Sequence, residues 1–199
     1  MSKFTRYIWG TLAHPAATFR DLSREENVKQ GWGAVLLVGV LYSVVCAIAT
    51  VNGIEPVVEP FLPISKESYY FWEIFFAPLV MIGAWYLFSY LNLCLGRALG
   101  GKGTFKAVLM PLGFAFCIPM LPIMWTTDFI CITFTIDLRT LGTFGQVWNV
   151  FYQTFTILWM AVACVIATRE AHRIPLGKAT AATLISVIPA VLIIAATIR

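Results

Sequence analysis

Long uncharged apolar stretches alternate with short polar ones along the whole chain. Five of them approach the roughly 20 helical residues needed to cross a hydrocarbon core. They run from Gly33 to Val51, Ile74 to Leu95, Ala107 to Trp125, Val147 to Thr168 and Ala179 to Ile198. Charged residues mark their borders. Glu73 and Arg97 flank the second, Lys106 and Asp128 the third, Arg169 closes the fourth, and Lys178 and Arg199 bracket the fifth. None alternates polar and apolar residues in the two-residue period of a membrane barrel. A helix satisfies its backbone polar groups within one segment, so an all-α bundle of five transmembrane helices is expected. Residues 31–199 would form that domain, and residues 1–30 an interfacial segment ahead of it.

Two shorter pieces complete the pattern. Phe129-Ile-Cys-Ile-Thr-Phe-Thr-Ile136 is apolar and β-branched but too short to span. A surface segment is expected there, with a short interfacial helix or a re-entrant dip as alternatives. Near the start, Phe4, Ile8, Trp9 and Leu12 recur at helical spacing beside Lys3 and Arg6. That predicts a short helix in the headgroup layer. After Pro15 a second short helix carries Phe19 and Leu22 with Arg20 and Arg24. These helices either pack on the bundle or offer a docking surface to a partner or to anionic lipid, and the two roles are compatible.

Composition narrows the class. Of 199 residues, 59% are hydrophobic and 12% charged, against about 45–50% and 25% in a soluble domain. A soluble enzyme, a nucleic-acid module and a disordered chain are thereby excluded. The charges are also sorted. Lys3, Arg6, Arg20, Arg24, Lys29, Arg97, Lys102, Lys106, Arg169, Arg173 and Lys178 fall on one side of the expected bundle, and only Lys66, Arg139 and Arg199 on the other. Lys and Arg resist translocation, so the first group marks the cytoplasm, with the N-terminus inside and the C-terminus outside. Ala47-Ile48-Ala49 has the form of a signal-peptidase site. The segment ahead of it, roughly 30 residues holding Asp21, Glu25 and Glu26, is unlike the short basic start of a cleaved signal, and an uncleaved span is expected.

Reactive chemistry is sparse. Cys46, Cys94, Cys117, Cys131 and Cys164 lack metal-ligand spacing and read as small packing residues. His14 and His172 have no evident acidic or thiol partner and read as interfacial polar residues. Gly96-Arg-Ala-Leu-Gly-Gly-Lys102-Gly103 approaches a phosphate-binding loop. It follows a membrane helix instead of a strand, however, and Gly103 stands where Ser or Thr would ligate magnesium. A flexible basic turn is the better account, with Gly96 and Gly100 letting the helix end approach a neighbour. No Asp, Glu, Lys, Arg or His lies inside the five stretches, which removes the usual machinery of ion-coupled transport. Asn92, Asn149 and Gln153 are interior polar residues. With the helix-breaking Pro111, Pro119 and Pro122 they serve either helix packing or a cavity. No catalytic residue, metal site or cofactor is expected.

Several motifs then carry a family likeness. Trp9-Gly-Thr-Leu-Ala-His14-Pro15-Ala-Ala-Thr18-Phe19 resembles the opening motif of bacterial Yip1-domain membrane proteins, a short helix followed by a proline and an aromatic. Leu99-Gly100-Gly101-Lys102-Gly103-Thr104-Phe105 looks like that family's second loop, and Pro119 like the proline of its third span. Glu170-Ala-His172-Arg173, followed by Lys178-Ala179, is similar to its fourth loop. The likeness implies a non-enzymatic multi-pass protein of a bacterial inner membrane.

Three functions follow as expectations. The first is an organising protein whose basic face binds lipid headgroups, another membrane protein or a second copy of the chain. Trp9, Arg20, Arg24, Arg97, Lys102, Lys106, Arg169, Arg173 and Lys178 are its candidate residues. The second is a small-solute transporter or channel around the proline-broken third helix. The third is a lipid enzyme using His14, His172 and Glu170. Nucleic acid is not among the expected partners.

Overall fold

A computed structural model describes residues 2–25 and 27–198. Glu26 and Arg199, which entered the charge pattern, lie outside the described residues. The described chain is all-helical, with no strand. Helices α1 (Lys3–Ala13) and α2 (Pro15–Arg24) precede α3 (Lys29–Val51) and α4 (Lys66–Ala98). Then follow α5 (Phe105–Cys117), α6 (Thr126–Thr133), α7 (Gly142–His172) and α8 (Leu176–Thr197). A 3-10 turn at Ile118–Met120 and a π-helical turn at Leu121–Trp125 join α5 to α6. Residues 105–133 are therefore one interrupted helix. Together with α3, α4, α7 and α8 it makes five helices long and apolar enough to cross a membrane.

The surface segment expected at Phe129–Ile136 is corrected here. Residues 129–133 complete the third spanning helix, because the prolines bend it through 3-10 and π turns without ending it. It stops one turn later. Thr135 takes a left-handed φ of 52°, and the amides of Ile136 and Thr135 donate to the carbonyls of Cys131 and Ile132. This is the Schellman pattern that satisfies orphan carbonyls at a helix end.

The spanning helices pack as a closed round: α3 on α4, α4 on α8, α8 on α7, α7 on α5, and α5 on α3, with α4 also touching α5. α2 lies against α5 and α7. Consequently α5 is surrounded, and every residue from Val108 to Pro119 is buried. Small residues admit large ones beside it. Gly31 and Gly113 leave room for Trp85, whose indole N–H donates to the Leu109 carbonyl at 3.0 Å.

Proline gaps are closed by side chains. Pro78 in α4 cannot donate to the Ile74 carbonyl. Ser43 of α3 does so instead, at 2.8 Å, and Gly39 lets the two helices meet at Pro78. A second polar contact ties three helices together. Asn92 on α4 donates to Thr168 of α7 at 3.0 Å and to Ser186 of α8 at 3.2 Å, while Thr183 donates to Thr168 at 2.8 Å. Asn92 thus acts as glue between helices.

Glu73 also departs from expectation. It does not mark the start of the helix. α4 starts earlier, at Lys66, which carries Glu73 into the helix, where it is buried and accepts from the Tyr42 hydroxyl at 3.3 Å. Lys66 and the aromatics that follow it start α4 ahead of the apolar stretch, so hydropathy alone places the helix start too late.

Candidate functional site

The connections at the basic end of the bundle are stapled, and the staples build a site. α4 ends in a Schellman turn: Gly100 takes φ 91°, and Gly101 and Gly100 donate to the carbonyls of Gly96 and Arg97. The chain then folds over the end of α7. The Lys102 amide donates to the His172 carbonyl at 3.1 Å, Arg97 donates to the Gly103 carbonyl at 3.1 Å, and Lys178 donates to the Leu99 carbonyl at 2.9 Å. The turn expected to be flexible is thus held at both ends.

His172 is the reason for its glycines. The imidazole is completely buried, a correction to the interfacial role expected for it. A Cβ at Gly96 would fall 2.4 Å from the ring, one at Gly101 2.7 Å and one at Gly103 2.9 Å. Three glycines therefore cradle one imidazole. Gly100 has open space around it and supplies only its φ.

Above this floor lies a basic recess. Its larger part, a cavity of about 340 Å³, is lined by Arg20 and Arg24 of α2 and by Arg169, Glu170, Arg173 and Ile174. An adjoining part of about 270 Å³ adds Ser23, Lys102, Gly103, Thr104 and Ala107. Thr104 caps α5 by accepting from the Ala107 amide at 3.3 Å, and the first turn of a helix favours negative charge. Arg20 donates to Glu170 at 2.8 Å. That hydrogen bond, and then the carboxylate's charge, hold the Arg20 guanidinium above its ordinary value. Arg24, Lys102, Arg169 and Arg173 form no ion pair among the described residues, and all four are exposed. Among the described residues five cations face one carboxylate, a surplus of donors of the kind that pair with anionic oxygens.

The α1–α2 hairpin sets the position of Arg20 and Arg24. Phe19 and Leu22 are fully buried between α2 and the bundle, leaving Arg20 and Arg24 on the outer side of the helix. Phe4 and Tyr7 of α1 meet Phe114 ring to ring at 5.8 and 5.9 Å. Lys3 and the Tyr7 hydroxyl both bind Glu25, just past α2. The Lys3 hydrogen bond, followed by its charge, holds the Glu25 carboxyl below its ordinary value.

The Yip1 domain profile matches residues 9–198, nearly the whole chain. This chain belongs to the Yip1 domain family. No curated protein and no solved structure matches it. Family membership and five apolar helices make it a multi-pass integral membrane protein whose helices contact lipid.

In this Yip1-domain protein the candidates from sequence do not all fall at one place. Arg20, Arg24, Lys102, Arg169 and Arg173 converge on the recess. Arg97 and Lys178 bind backbone carbonyls of the turn. Lys106 is exposed on α5 and Trp9 is 62% exposed on α1, and neither lines the recess. The polar and proline candidates do not converge. Asn92 meets Thr168, whereas Asn149 lies nineteen residues before Thr168 on α7, about 28 Å away at 1.5 Å per residue. Gln153 is exposed and pairs with Asn149. Pro111 and Pro119 are buried in the core and Pro122 is exposed. His14 is exposed at the α1–α2 joint, His172 sits in its glycine cradle and Glu170 holds Arg20. Ser23 and Thr104 are polar recess residues absent from the candidate set, and Glu170 entered it only for the lipid-enzyme reading. Thr104 carried a signal, since Thr ahead of an apolar helical run is a cap.

Proposed function

We propose that this Yip1-domain protein is a non-enzymatic membrane organiser. It holds the phosphate of an anionic lipid headgroup in the recess between α2, the α4–α5 turn and the end of α7. The observation that carries this reading is the convergence of Arg20, Arg24, Lys102, Arg169 and Arg173 around a cavity with a single carboxylate among the described residues. Guanidinium and ammonium groups hold phosphate oxygens by charge-assisted hydrogen bonds, and the role requires no bond to be made or broken. The sorting of basic residues supports a cytoplasmic recess, an N-terminus inside and a C-terminus outside. A bacterial inner membrane, rich in anionic lipid, is the setting we assign.

Native mass spectrometry of the full chain in neutral detergent tests this. The wild type should retain phosphatidylglycerol more tightly than phosphatidylcholine. The combined variant Arg20→Gln, Arg24→Gln, Lys102→Gln, Arg169→Gln and Arg173→Gln should retain the two equally. Undiminished phosphatidylglycerol retention in that variant would refute the proposal.

A further inference from the structure

The recess has two adjoining parts. Its two cavities, about 340 and 270 Å³, share Arg20, Arg24, Glu170 and Arg173, and each also has walls of its own. Arg169 and Ile174 belong to the larger, Lys102 and Thr104 to the smaller. Both have a private cation, and the smaller also has the capped first turn of α5 behind it. We infer that the two cavities take the two phosphate groups of a single lipid, a bisphosphorylated glycerolipid, one phosphate in each. This rests on the headgroup reading above.

The charge balance points the same way. Five cations and Glu170 leave an excess of positive charge, of which two phosphodiesters offset twice as much as one. A second phosphate on the same molecule binds without a second loss of translational freedom, so its contacts add to affinity efficiently. Arg20, Arg24 and Arg173 lie on the shared wall, where the forked guanidinium can serve oxygens on either side. Glu170 fixes Arg20 in that wall through its 2.8 Å ion pair. Ile174 in one cavity and Ala107 in the other supply apolar surface for the glycerol carbons.

The test compares tetraoleoyl cardiolipin with dioleoyl phosphatidylglycerol at equal total phosphate, using the full chain and native mass spectrometry. Cardiolipin should be retained about tenfold more tightly per phosphate. Arg169→Gln and Lys102→Gln each remove a cation private to one cavity. Each should weaken cardiolipin about fivefold and phosphatidylglycerol less than about twofold, because a single phosphate can use the other cavity. Both side chains are exposed, so an unchanged melting temperature will show that the variants fold. Equal retention of the two lipids per phosphate, or equal weakening of both by each variant, would overturn the inference while leaving the headgroup reading intact. Displacement of cardiolipin by inorganic pyrophosphate at matched phosphate would overturn it in favour of a free diphosphate. Indifference of both lipids to all five cations would remove the headgroup reading as well.

Discussion

Arg173 occupies backbone that glycine would adopt more readily. It ends α7 with φ 56° and ψ 43°, and its amide donates to the Arg169 carbonyl at 2.8 Å. An L-residue in that left-handed region costs about 1 kcal/mol or more. The side chain that bears this cost lines both parts of the recess. Stability and binding should therefore move in opposite directions. Arg173→Gly should raise unfolding stability by about 1 kcal/mol and weaken anionic-lipid retention about fivefold. Denaturant titration and lipid titration of the same preparation check both. Gly96 makes the converse case. A methyl there would meet the His172 ring at 2.4 Å, and the buried ring is also closely approached by Gly101 and Gly103. Gly96→Ala should destabilise by about 2 kcal/mol or more. Adding His172→Ala should recover most of that loss, a coupling that a double-mutant cycle measures.

Among the helices, the proline positions separate what pattern reveals from what it hides. Hydropathy marks five spans because each must cover an apolar core. It does not show whether a proline ends a helix or bends it. Pro119 and Pro122 begin 3-10 and π turns that carry the third helix on to Thr133, so the tail beyond them looked like a separate segment. Pro78 leaves α4 unbroken, and Ser43 supplies the missing donor from another helix. Ser43→Ala should cost about 1–2 kcal/mol by leaving the Ile74 carbonyl unpaired. In a Pro78→Ala background the restored amide should remove most of that cost, as thermal unfolding in detergent will show. The α1–α2 hairpin adds a pH dependence. Glu25 has a depressed carboxyl value in the folded chain, chiefly through Lys3. Its contribution is complete above the ordinary carboxyl value of about 4.3 and is lost as pH falls through the lower folded value. A spin label at Ala13 should stay immobile at neutral pH and loosen in acid, and Glu25→Gln should abolish the transition.

For the molecule as a whole, sorted charge and sparse charge express one constraint. The basic residues gather where five helix ends meet: the starts of α3, α5 and α8 and the ends of α4 and α7. Sequence revealed that side as a set of cations. It could not say which of them face each other, because Arg20 and Arg169 are brought together only by docking α2 against α7. Nor could it show that Arg97 and Lys178 are engaged by carbonyls of the turn. The buried His172 was hidden for a related reason, since its glycine neighbours lie some seventy residues earlier in the chain. Phospholipid occupying this recess in a membrane is the central claim. A photo-crosslinking residue in place of Ala107, in cells grown with radiolabelled phosphate, tests that directly. A labelled phospholipid adduct should form, and should disappear when Arg20, Arg24, Lys102, Arg169 and Arg173 are all changed to glutamine. An adduct of equal intensity in that variant would contradict it.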